Sequence, residues 1–245
     1  MVLAAGLGTR LRPLTDDRPK ALVTVAGRTL LEIALGRLRE FGVREVVVNA
    51  HHYGEKIVAY LAANGNFGMR VEVSREEELL DTGGGLKKAA PFFLAGGEDE
   101  AFLMHNVDVI SSIDLGRMAE AHAELRALVT LAVAERETSR YLLFDEEGLL
   151  CGRRTKGDAE AEMVRPAEAV AALAFSGIHV VSPRIFGKLS EEGAFPILDA
   201  YLRLAAEGER IVAFRADGAY WRDLGRPESL LAAERDLERG MAAID

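Results

Sequence analysis

The feature that most constrains this chain is a regular exchange of short apolar runs with segments whose apolar residues recur at helical spacing. "MVLAA" opens the chain, and "TLLEIALGRLREFG" then carries leucines and isoleucine on one helical face before stopping at Gly42. "REVVVNAHH" reads as a β-branched strand, residues 55–64 as a helix, and "MRVEVSRE" as another strand. A glycine-rich turn then leads into "LKKAAPFF" and the apolar strand "AFLMHNVDV". Nearly continuous apolar strands separated by helices predict an α/β fold, a mostly parallel sheet covered by helices on both faces. Such sheets bind ligands beyond the carboxyl ends of their strands, where the segment after "MVLAA", "DTGGG" and "HNVD" all fall.

Beyond a helix near residues 114–126, with Asp114 as its expected cap, the texture turns more β-rich. "ALVTLAVAER", "YLLFDEEGLLCGRR" and "AVAALAFSGIHVV" read as strands, with "DEEG" as a hairpin turn. A helix over 195–207, strands "RIVAF" and "AYWRDLG", and a helix from Pro227 follow. No repeat or linker divides the 245 residues, so a single domain with halves at 1–126 and 127–245 is expected. No apolar run reaches the roughly 20 residues of a membrane span. The start lacks a basic segment followed by an apolar one, and the lone Cys151 excludes an internal disulfide, which together predict a cytoplasmic setting. The formal net charge of −9 argues against a broad nucleic-acid interface.

Against that acidic background the first 28 residues are basic. Arg10, Arg12, Arg18, Lys20 and Arg28 face only Asp16 and Asp17, in and around "AAGLGTRLRPLTDDRPK". Leu11 stands where a dinucleotide fingerprint needs its third glycine, and no Gly-Lys-Ser/Thr of a Walker loop occurs in the chain. Gly6 and Gly8 let backbone N–H groups approach an anion closely, and Arg10 and Lys20 add full charges, so the segment reads as a triphosphate clamp.

"GLGTRLRPLTDDRPKAL" resembles the signature of sugar-1-phosphate nucleotidylyltransferases through Gly6, Gly8, Thr9, Arg10, Pro13, Leu14, Thr15, Pro19 and Lys20. The likeness continues through "DTGGG", "HNVDV", "FSGIHVVSP" and "YWRDLGRPE". It implies a Rossmann-like core with a sugar-binding second half and, as in the short members, no C-terminal β-helix. The implied reaction is attack of a sugar-1-phosphate on the α-phosphorus of UTP or GTP, giving a nucleotide sugar and pyrophosphate. The nucleophile is already ionised, so charge neutralisation and positioning can carry the rate.

By the same resemblance Arg10 and Lys20 hold the phosphates, and Asp108 and Asp223 bind Mg²⁺, which takes one or two carboxylates together with substrate oxygens. The nucleotide is bound by Leu3, Ala5, Gly6, Gly8, Thr9, Thr82, Gly83 and Asn106, with Leu3, Ala5 and Gly6 offering backbone groups to the base, and the sugar by Ser176 and Gly177. Val107 replaces the glycine usual before the metal aspartate, and the family's Glu-Lys-Pro is absent, leaving Arg153, Arg154 and Lys156 as substitutes on the sugar phosphate. Relatives usually begin a residue or two earlier, which implies that Met1 is internal to a longer strand. A cytidylyltransferase acting on a phosphoalcohol such as phosphocholine, and a catalytically silent nucleotide-sugar sensor, remain alternatives. The oligomeric state is not legible. His51 and His52 are expected in a loop, His105 in the sheet and Trp221 as an anchor beside Asp223.

Overall fold

The computed structural model describes residues 1–95 and 100–240. In chain order the elements are β1 (Val2–Leu3), β2 (Thr24–Val25), β3 (Arg28–Thr29), α1 (Leu30–Glu40), β4 (Glu45–Ala50), α2 (Gly54–Ala63) and β5 (Arg70–Arg75). Then come α3 (Asp81–Lys88), α4 (Ala90–Leu94), β6 (Phe102–Asn106), β7 (Val109–Ser111), α5 (Leu115–Glu124), β8 (Val129–Ala134), β9 (Arg140–Phe144) and β10 (Leu150–Thr155). The rest are β11 (Glu162–Met163), β12 (Ala171–Val181), α6 (Ile197–Ala206), β13 (Ile211–Arg215), β14 (Trp221–Asp223) and α7 (Pro227–Glu238). The chain forms two compact units. One comprises Met1–Asp81, His105–Ile113 and the segment beginning at Ala219; the other comprises Thr82–Met104 and Asp114–Gly218.

In the first unit β1 lies between β4 and the end of β6, parallel to both, with Val2 opposite Val48 and His105, and β5 extends the parallel ladder beyond β4. Val46 to Ala50 are all buried, as the unbroken apolar run requires of a strand covered on both faces. Helix α1 is capped by Thr29, whose Oγ1 accepts the Glu32 N–H at 3.1 Å, and it buries Leu30, Leu31, Ile33, Leu35 and Leu38. Separately, β14 pairs antiparallel with β7. Strand β14 is tied to α7 by Arg222, whose Nη2 and Nε lie 2.5 and 3.0 Å from Asp236 Oδ2, and by Tyr220, which donates to the same oxygen at 3.0 Å.

The second unit is a mixed sheet. Strand β8 runs antiparallel to β12 and parallel to β13, and β9, β10 and β11 continue antiparallel from β12. The "DEEG" turn joins β9 to β10 as expected: Asp145 Oδ1 accepts the Glu147 and Leu149 N–H groups at 3.0 and 2.8 Å, and Gly148 takes a positive φ. Asp114 caps α5 by accepting the Arg117 N–H at 3.0 Å. "DTGGG" differs from its expected form, because it is the first turn of α3 itself. Glycines are tolerated there because Phe195 occupies the volume that a Gly83 side chain would need, and the Phe195 carbonyl accepts the Gly83 N–H at 2.9 Å.

His105 in β6 and His122 in α5 are buried, and desolvation holds each imidazole near a pKa of about 4, well below its ordinary 6.5. The unfolded chain therefore binds more protons between those values, and stability falls as pH drops through that window. For His122, hydrogen-bonded to Thr130 at 2.9 Å, the shift corresponds to about 3 kcal/mol lost between pH 7 and 4. We expect His122→Asn to make the pH dependence of the unfolding free energy shallower by roughly 1.4 kcal/mol per pH unit between pH 4 and 6.5. Denaturant titrations across that range check it, and an unchanged slope contradicts it.

Candidate active site

The basic loop leaves the sheet where β1 ends. The Ala4 N–H donates to the buried Asn49 Oδ1 at 2.7 Å, and the Leu3 carbonyl accepts the Val107 N–H at 3.2 Å, so the peptide between them is fixed from both sides. Gly6 follows, exposed and with open space where a β-carbon would stand. Gly8 serves a different need. Its φ of 63° is left-handed, and a β-carbon there would lie 3.0 Å from both Lys20 Cβ and Thr15 Cγ2. Its carbonyl accepts Thr15 Oγ1 and the Leu11 N–H, each at 2.9 Å, starting the helical turn that contains Thr9 and Arg10. The loop is pinned further along, where Tyr53 Oη donates to the Asp16 carbonyl at 2.6 Å and Lys56 Nζ to that of Asp17.

The two aspartates that no local spacing rule could pair are neighbours. Asp223 is opposite Val109 in the β14–β7 ladder, and the Leu224 N–H donates to the Asp108 carbonyl at 2.7 Å. Neither carboxylate caps a helix. Asp108 lies between β6 and β7, buried, and pairs with the Lys20 ammonium; Asp223 Oδ1 accepts the Gly225 N–H at 2.8 Å. Gly225 is the close-approach point of the site. A β-carbon on it would stand 2.8 Å from Asp223 Oδ1 and 2.9 Å from Arg10 Nη2. The first unit thus brings together Arg10, Lys20, Asp108 and Asp223, two cations and two carboxylates from three separate stretches of chain. Asn106 closes β6 beside Leu3, and Val107 is buried, so the valine in place of the usual glycine fills core.

Thr82, Gly83, Ser176, Gly177 and the three candidates for the sugar phosphate lie in the second unit. Thr82 Oγ1 accepts the Ile197 N–H at 2.9 Å, and Gly83 packs on Phe195. Ser176 and Gly177 are buried at a register break in β12 between Phe175 and His179, with Gly177 at positive φ. Arg136 fastens that break, donating to the carbonyls of Ala174 and Phe175 at 3.2 and 2.6 Å and to Ser176 Oγ at 3.2 Å. Of the three substitutes for the missing lysine, Arg153 is committed to Glu162 and Asp199, Arg154 stands over the Tyr141 ring, and Lys156 is exposed, 3.9 Å from Glu137. His51 Nδ1 is 3.0 Å from the Glu76 carbonyl, His52 stacks on Tyr53, and Trp221 lies in β14. Sequence reasoning missed Asn49, Glu76, Arg136 and Gly225. The available signals were polar residues in or just after buried strands and a glycine two positions beyond an aspartate.

Asp108 and Asp223 offer hard carboxylate oxygens, and among the described residues no group of three or more His, Cys, Asp or Glu could hold a metal ion. Two carboxylates completed by substrate oxygens could hold a hard divalent cation. No helix among the described residues is long and apolar enough to cross a membrane.

Residues 1–240 match the family described as nucleotidyl transferase. The chain is 37% identical over 244 residues to the N-acetylmuramate alpha-1-phosphate uridylyltransferase of Caulobacter vibrioides, covering 97% of this chain and 96% of that one. It is 28% identical to the mannose-1-phosphate guanylyltransferase of Mycobacterium tuberculosis, covering 99% of this chain and 65% of that one. Its fold is similar to that of HddC from Yersinia pseudotuberculosis, with a TM-score of 0.76 at 24% identity over 96% of this chain and 97% of that one. With the family matched over nearly its whole length and its Rossmann-like fold shared with a solved relative, this chain belongs to the nucleotidyl transferases.

Proposed function

We propose that this protein transfers a uridylyl group from UTP to a sugar-1-phosphate, releasing pyrophosphate, with N-acetylmuramate-1-phosphate as the first acceptor to test and GTP as the alternative donor. The observation that carries the reading is the meeting of Asp108, which follows β6 and pairs with Lys20, and Asp223, which closes β14 with Arg10 close to it at Gly225. The relative with 37% identity over nearly the full length of both chains supports the choice of UTP and of the acceptor.

Two anions must be brought into contact. At about 4 Å, unit like charges repel by roughly 4 kcal/mol at an effective dielectric near 20, and several such pairs arise between a triphosphate and a sugar phosphate. Lys20 answers this with three N–H donors, one facing Asp108 and two left for phosphate oxygens. Arg10, exposed on the loop, supplies the forked donor that suits the outer phosphates. Asp108 and Asp223 would hold Mg²⁺, which when bound neutralises phosphate charge and fixes the reacting oxygens. The exposed backbone at Gly6, with Ala5 and Thr9, meets the nucleotide, and the family resemblance also assigns Thr82 and Gly83 to nucleotide recognition. The Leu3 carbonyl and Asn106 support that backbone from the sheet. Ser176 and Gly177, with their strand held by Arg136, contribute to binding the sugar.

A pyrophosphate-release screen tests the reading, crossing UTP, GTP and CTP with N-acetylmuramate-, glucose- and mannose-1-phosphate and with phosphocholine. Release with UTP or GTP and a sugar phosphate supports it. Release only with CTP and phosphocholine replaces it with the phosphoalcohol reading, and tight nucleotide-sugar binding without turnover replaces it with a sensor. Asp108→Asn is expected to lower kcat by about 100-fold or more, because it removes charge where the phosphates are neutralised. Gly225→Ala should leave the melting temperature nearly unchanged, since Gly225 does not need a positive φ, while lowering kcat/KM about tenfold or more by displacing Arg10 or Asp223. Wild-type turnover in either variant would remove that residue from the site.

A further inference from the structure

Three parallel strands, β1, β4 and β5, end side by side, with Leu3 opposite Asn49 and Asn49 opposite Ser74. Across these ends runs a chain of side-chain hydrogen bonds. Asn49, 2% exposed, accepts the Ala4 N–H with Oδ1 and donates from Nδ2 to Glu76 Oε1 at 2.8 Å. Glu76, 5% exposed, accepts the Leu80 N–H with Oε2 at 3.0 Å, and its own N–H donates to the Ala50 carbonyl at 2.8 Å. The two ends of the chain are therefore backbone donors, Ala4 in front of the Ala5–Gly6 segment and Leu80 in front of Asp81.

The polarity of this arrangement allows one kind of side chain at position 76. The Ala4 N–H fixes the asparagine with its oxygen toward β1, which turns its NH₂ toward position 76. The Leu80 N–H points at the same residue from the other side. Both neighbours donate, each to a different oxygen, so the group between them must accept at both terminal atoms, as a carboxylate does and a glutamine amide, with one oxygen and one NH₂, does not. With glutamine, its NH₂ would confront either Asn49 or Leu80, and rotating Asn49 would only move the conflict to Ala4. Burying a carboxylate is costly, and an apolar filler would serve packing alone at least as well. What the carboxylate adds is direction: it locks the Asn49 amide and, through it, the plane of the peptide from which Ala5 and Gly6 extend.

We infer that Glu76 is a positioning residue for nucleotide binding, acting through Asn49 to set the backbone at Ala4–Gly6. The inference rests on the proposed assignment of that backbone to the nucleotide. Its test is a pair of variants. Glu76→Gln leaves one buried donor facing another and should raise the KM for UTP about tenfold or more, with kcat and the KM for the sugar-1-phosphate within about threefold of wild type. The double variant Asn49→Asp with Glu76→Gln reverses the polarity without losing a bond. The carboxylate then at position 49 would accept from Ala4 and from the amide at position 76, whose oxygen would accept from Leu80. The KM for UTP should return to within about threefold of wild type.

The same three proteins are melted with and without UTP, and with GTP if that is the donor the screen selects. The nucleotide-induced rise in melting temperature should be lost in Glu76→Gln and regained in the double variant. A single variant with wild-type KM and a wild-type nucleotide-induced rise overturns the inference, as does a folded double variant that binds as poorly as the single. Should Glu76→Gln fail to fold, Glu76→Asp, which keeps both acceptor oxygens but withdraws them by one methylene, takes its place: a raised KM for UTP supports the inference and a wild-type KM overturns it. A wild-type chain that releases no pyrophosphate with any pair overturns the proposed function instead, and the melting shifts still decide the role of Glu76.

Discussion

The site depends on a ladder of three residue pairs. Trp221, Arg222 and Asp223 lie against Ser111, Ile110 and Val109, and that antiparallel register is what sets Asp223 beside Asp108. A slip of one residue would turn every side chain of β14 to the opposite face and remove the carboxylate from the site. So short a ladder cannot hold its register alone, and its neighbours supply the constraint. The Leu224 N–H bonds the Asp108 carbonyl beyond one end, the Ser112 N–H bonds the Tyr220 carbonyl beyond the other, and Arg222 anchors the strand to α7 through Asp236. The Arg222 guanidinium holds the Asp236 carboxyl below the usual carboxylate range.

Glycine has several separate uses in the two units. At Gly6 the missing side chain leaves backbone open, at Gly8 it permits a left-handed turn packed on Lys20, at Gly83 it admits the Phe195 ring, and at Gly225 it lets Arg10 and Asp223 approach one another. A pattern of glycines in the sequence looks uniform, whereas the fold gives each a distinct partner or none. This is why "DTGGG", so readily taken for a turn, is a helix whose first turn leaves no room for a side chain at Gly83.

The parallel layer was legible because burial on both faces leaves a direct trace in composition, as in Val46, Val47 and Val48. The "DEEG" hairpin and the Asp114 cap were legible because their chemistry is local. Lys20 and Asp108 were each legible through a motif, but their pairing was not, since it joins positions 88 residues apart. Gly225 and Glu76 escaped notice for the same reason: a glycine or a glutamate carries no mark of the atoms that the fold will bring to it. Nor does spacing reveal that Ser176, offered as a sugar contact, is buried with its hydroxyl held by Arg136.

The first unit is assembled from three stretches of chain, and its last stretch begins at Ala219. During synthesis from the N-terminus, Lys20 and Asp108 emerge long before Asp223, while most of the second unit is made in between. The carboxylate pair can close only after the more than a hundred residues between its members have been made, so this candidate site cannot assemble on the N-terminal portion alone.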